Sequence, residues 1–96
     1  MRNYEIMVIV KSNLEVENAK KEIENIKKII TDGKGKVIST NEMGQRKLAY
    51  PIKKEISGFY FVLTFSSDSN TLNELERRIR INENILRHLI IRLDEE

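Results

Sequence analysis

The 96-residue chain has no cysteine and no tryptophan, and a single proline and a single histidine. Without thiols there can be no disulfide, no thiolate metal site and no cysteine nucleophile. The one histidine, His88, stands among Leu86, Leu89 and Ile90 and reads as a structural residue. No His-rich or Asp-x-Asp cluster suggests a metal. The glycines, Gly33, Gly35, Gly44 and Gly58, make no phosphate-binding loop. The paired acids Glu95 and Glu96 are terminal. These absences argue against an enzyme and against any cofactor. No apolar run is long enough to span a bilayer, and the N-terminus does not resemble a signal peptide. The expectation is one soluble, cytosolic domain over residues 1–96, with a modest core.

Charge is present in quantity but nearly balanced, with 17 Lys and Arg against 15 Asp and Glu. Its distribution carries more than its sum. Acids gather in the stretch 15–24 and in the terminal "DEE". Lys34, Lys36, Arg46, Lys47, Lys53 and Lys54 face one acid, Glu42, over residues 34–54. Arg77, Arg78, Arg80, Arg87 and Arg92 form a second basic region against Glu83. The segment "GQRKLAYPIKK" (44–54) sets apolar residues between two basic pairs, a composition that suits a surface with a partner.

Periodicity predicts the elements. "NYEIMVIV" (3–10) reads as a central strand, with Tyr4, Ile6, Val8 and Val10 on one face and Glu5, Met7 and Ile9 on the other. "SNLE" (12–15) suggests a capping box. Val16, Ala19, Ile23, Ile26 and Ile30 recur at helical spacing over residues 15–31. Gly33 and Gly35 suggest a left-handed stop. A long strand is predicted over 36–49, with a bulge at Met43-Gly44 and an end near Pro51. A loop follows to Ser57-Gly58, then the strand "FYFVLTF" (59–65). "SSDSN" (66–70) offers helix caps. Leu72, Leu75 and Ile79 stripe a helix over 70–80, and a last strand covers about 85–93.

The order β-α-β-β-α-β predicts an α+β fold of the ferredoxin-like plan, a four-stranded antiparallel sheet with both helices on one face. The other sheet face is then uncovered. Met7, Ile9, Phe61 and Leu63 are expected there, with Leu89 and Ile91, as an apolar surface for a protein partner. "SGFYFVLT" (57–64) partly matches the strand motif of an RNA-recognition module at Gly58, Phe59, Phe61 and Val62. It departs at Ser57, Tyr60 and Thr64. A small-molecule regulatory module of the same plan is the rival reading, but the turn Lys11-Ser12-Asn13-Leu14 lacks the glycine such modules place there.

"GQRKLAYPIK" (44–53), together with "MRNYEIMVIV", Asn13-Leu14 at the helix start, Gly33, Gly58-Phe59-Tyr60 and "IRINENILRHLII", closely resembles the family of the sixth protein of the bacterial small ribosomal subunit. The resemblance spans nearly the whole chain. Lys47 stands where Arg or Gln is familiar, keeping the charge but losing the bidentate fork. The resemblance implies a structural constituent of the 30S subunit. It would bind the central domain of 16S ribosomal RNA together with the eighteenth small-subunit protein, with no membrane or small-molecule substrate. Arg2, Arg46, Lys47, Lys53, Lys54 and Arg87 are the candidates for phosphate contact.

Overall fold

The computed structural model describes residues 1–12, 15–52 and 54–93. Its elements run in the predicted order: β1 (Arg2–Lys11), α1 (Val16–Asp32), β2 (Lys36–Ile52), β3 (Glu55–Ser67), α2 (Ser69–Ile81) and β4 (Ile85–Arg92). The strands form one antiparallel sheet in the order β2-β3-β1-β4, so β2 and β4 are the edges. Both helices pack on one face, as the ferredoxin-like plan requires.

The helices form where their apolar spacing placed them. α1 buries Ala19, Ile23, Ile26 and Ile30, while α2 buries Leu75 and Ile79. These meet Tyr4, Ile6, Val8 and Val10 from β1 in the main core, and Leu72 packs against its margin. Val16, expected on the buried stripe, is half exposed because it occupies the first turn, ahead of the sheet. The carboxylate of Asp68 caps α2, accepting from the Thr71 amide at 2.7 Å. That hydrogen bond holds the acid below its ordinary pKa.

The start and stop of α1 differ from expectation. Glu15 is the N-cap and makes no side-chain cap. Ser12 instead turns its hydroxyl to β3, lying 3.2 Å from the Ser57 carbonyl oxygen and 2.7 Å from the Ser57 hydroxyl. The capping box is therefore absent, and Asn13 and Leu14 lie outside the described residues. At the other end the left-handed residue is Lys34, with φ of 66°, not Gly33. Gly33 is needed for close approach, since a Cβ there would sit 2.1 Å from the Thr71 hydroxyl of α2.

Register settles which side of β3 meets the helices. Val8 lies opposite Phe61 and Ile6 opposite Leu63. Residues opposite one another in an antiparallel pair project to the same face. Phe61 and Leu63 therefore point into the helix-covered core, where they are 3% and 0% exposed. The expectation that they lie on the uncovered face is overturned. Tyr60 and Val62 take that side, opposite Ile9 and Met7.

β2 runs past its predicted end. Its pairing with β3 breaks after Lys47 and returns at Ile52 opposite Glu55, so the expected loop from Pro51 to Ser57 is mostly strand. Pro51 is tolerated because β2 is an edge strand, where an amide facing away from the sheet has no ladder bond to lose. Register shifts fall at Val37/Ser39, at Glu42/Gly44 and between Lys47 and Ile52. The second coincides with the predicted bulge, and Gly44 adopts φ of 81°.

Candidate nucleic-acid and partner interface

The sheet face away from the helices is divided in two. One end is closed by the far half of the β2–β3 hairpin. Past Lys47, where the regular ladder with β3 breaks, the β2 side of this arm reaches strands that are not its ladder neighbours. Leu48, Ile9 of β1 and Leu86 of β4 are buried together there, with Ile52 and Tyr60 packed alongside. Gly58 lies beneath this cluster. A Cβ at that position would come within 2.5 Å of the Ile9 Cγ2 and 3.6 Å of the Leu86 Cδ1. Ile9 is thus on the expected face but is only 3% exposed, because the arm covers it.

The other end is bare. Met7 and Val62 are half-buried there, and Leu89 and Ile91 are 48% and 46% exposed. Met7 faces Val62 across one ladder and Leu89 across the other, and Ile91 follows Leu89 on the same side of β4, opposite Glu5. Of the residues expected on a partner face, Met7, Leu89 and Ile91 remain available, while Ile9, Phe61 and Leu63 do not.

The cations divide differently from their order in sequence. Arg46 pairs with Gly58 and Lys47 with Ser57, so the neighbours project to opposite faces. Arg46 shares the open face with Tyr60. Lys47 lies on the side where Gln45 donates to the Ser57 hydroxyl at 3.3 Å. Both are exposed. Lys54 occupies the hairpin turn with φ of 69° and is exposed, while Lys53 lies outside the described residues. Arg2 is exposed at the start of β1. Arg87 is exposed on β4, and its guanidinium donates to the Tyr50 hydroxyl at 2.9 Å. That bond spans from one sheet edge to the other, and nothing in the local sequence around either residue announces it.

The arginines of α2 are otherwise committed. Glu74 accepts from Arg77 and from Arg78, the latter at 2.9 Å, and Glu76 accepts from Arg80 at 3.0 Å. Hydrogen bonds from Arg77 and Arg78 lower the Glu74 pKa to about 2. Two carboxylates thus offset most, but not all, of the charge of these three arginines. A cleft of about 410 Å³ lies between the helices, with Ile26, Ile29, Ile79 and Ile85 among its lining. Glu22 closes one side of it, accepting from the Asn82 and Asn84 amides at 3.0 and 2.7 Å.

This is a ferredoxin-like α+β protein whose sheet has a partly bare apolar face edged by exposed cations. The family model described as Ribosomal protein S6 matches residues 3–92. The small ribosomal subunit protein bS6 of Sulfurimonas denitrificans is 45% identical over 98% of this chain and 69% of its own length. That of Caldanaerobacter subterraneus is 42% identical over 99% of this chain and all of its own. The crystal structure of 30S ribosomal protein S6 from Thermotoga maritima superposes with a TM-score of 0.90 at 40% identity, covering 96% of this chain and 87% of that one. The chain belongs to the ribosomal protein S6 family. It is a structural constituent of the small ribosomal subunit, not an enzyme.

Proposed function

We propose that this chain binds the central domain of 16S ribosomal RNA together with the eighteenth small-subunit protein, on ribosomes in the cytoplasm, and that it does so from the sheet side. The observation that carries the reading is the bare strip of Met7, Val62, Leu89 and Ile91 on the same face as the exposed Arg46 and Arg87. An apolar strip of this kind suits a protein, and exposed guanidinium groups suit phosphates. The two partners therefore share one side. Arg2, Lys47, Lys53 and Lys54 remain candidates for phosphate contact around this face. Ile9, Phe61 and Leu63 leave the partner surface because they are buried within the chain itself.

Binding to the central-domain RNA is measured across a salt series with the partner protein saturating. Each lost phosphate contact lowers the slope of log K against log salt by roughly 0.7–0.9. Because Arg46 and Lys47 face opposite ways, Arg46→Gln should lower the slope more than Lys47→Gln. An unchanged slope and affinity in the double variant would leave both residues as solvated charges and remove the hairpin from the interface.

A further inference from the structure

We propose that the hairpin arm beyond Gly44 is a latched strap, and that Tyr50 is a positioning residue that fixes Arg87 for phosphate contact. This rests on the RNA-binding reading above. Three observations converge on it. First, the bulge at Glu42/Gly44 breaks the β2 register, and Gly44 sits at φ of 81° with open space where a Cβ would lie. The ladder to β3 resumes from Gly44 to Lys47 and breaks again before Ile52, so the position of the stretch between Lys47 and Ile52 is set by what it touches rather than by its own ladder. Second, the arm touches strands beyond its ladder: Leu48 is 7% exposed against Ile9 and Leu86. Third, Tyr50 is 58% exposed, so packing does not explain its place, yet its hydroxyl accepts from Arg87 at 2.9 Å.

The geometry gives the bond a purpose. Arg46 and Arg87 lie on the same sheet face but on opposite edge strands. With β3 and β1 between them, strand spacing alone separates their backbones by about 14 Å. A free arginine on an edge strand samples many rotamers, and ordering it on a phosphate costs side-chain entropy. The Tyr50 hydroxyl occupies one N–H of the Arg87 guanidinium and restricts its orientation. Arginine carries five such donors, so others stay available for an anion. Closure of the arm thereby brings the hairpin cations and the β4 cation into one surface, and Tyr50 links them.

The test uses the full chain. Nuclear Overhauser contacts between the Leu48 methyls and those of Ile9 and Leu86 report closure without RNA. Central-domain RNA binding with saturating partner protein is then measured for wild type, Tyr50→Phe, Arg87→Gln and the double variant. Tyr50→Phe keeps the ring and removes the hydroxyl. It should weaken RNA binding about fivefold, the cost of ordering one long side chain that is no longer held in place. In the Arg87→Gln background it should cost nothing further, since the group it positions is gone. Additive losses, or no loss from Tyr50→Phe, would overturn the positioning role. Absence of the methyl contacts in wild type would overturn the strap itself. If those contacts are present and wild type fails to bind the RNA, the RNA reading fails, and the positioning role with it, while the strap stands.

Discussion

Replacing Leu48 by Ala asks whether the apolar centre of "RKLAYPIKK" holds the arm to the sheet. Leu48 is 7% exposed and packs with Ile9 and Leu86, each buried, and with the half-buried Ile52 and Tyr60. Truncating a buried leucine to alanine costs about 2–5 kcal/mol, the spread set by how far the walls can relax. Here one wall is a hairpin arm attached through a bulge, so it can settle inward, and the cost should fall at about 2–3 kcal/mol. For a chain of this length that lowers the melting temperature by roughly 10–20 °C. Ile56, on the same hairpin but 65% exposed, is the control. Its replacement by Ala should shift stability by no more than about 0.5 kcal/mol. Denaturant titrations of both variants decide the matter. If Leu48→Ala costs no more than Ile56→Ala, the arm does not depend on this cluster and the account of the second apolar cluster is wrong.

Other outcomes follow from the same packing. Ile26, 2% exposed in the main core, should cost about 2–5 kcal/mol on truncation to Ala, and a cost below about 1 kcal/mol in denaturant would misplace the face of α1. Phe61→Ser should lose at least about 3 kcal/mol of stability, because it opens a core cavity and buries a hydroxyl. Leu89→Ser, at a site 48% exposed, should leave melting nearly unchanged and weaken capture of the eighteenth protein, and undiminished capture would remove Leu89 from the partner surface. Glu74 titrates at about 2 rather than 4.5 in the folded chain, so its pairing favours folding above pH 4.5 and is lost as pH falls toward 2. Glu74→Gln should flatten the acid limb of a stability profile over that interval, and an unaltered limb would show that the exposed pairs contribute nothing.

The helix faces and the order of elements were legible in the sequence because they rest on local spacing. Ile23, Ile26 and Ile30 fall together on any helix, whatever it packs against. The bulge at Gly44 was legible for a similar reason. The side of β3 was not. Both of its faces carry apolar residues, so alternation separates Phe61 from Tyr60 without saying which meets the helices. The answer lies in its register with β1, a relation between residues more than fifty positions apart. The arm was hidden in the same way, since Leu48 and Tyr50 find their partners on β1 and β4. The splitting of Arg46 from Lys47 follows from the two-residue period of a strand.

The irregularities of β2 bear on what happens to this protein before it reaches a ribosome. A 17-residue strand at a sheet edge, in a molecule that also exposes an apolar strip, is a template for unwanted pairing with other chains. Breaks in register at Val37/Ser39 and at Glu42/Gly44 interrupt the run of evenly spaced backbone donors and acceptors that an incoming strand needs. Lys36, Glu42, Arg46 and Lys47 add charge along the same edge. Both features disfavour lengthening of the sheet by another chain at this edge. Along this edge the breaks and charges favour a partner that stacks upon the sheet over one that continues it.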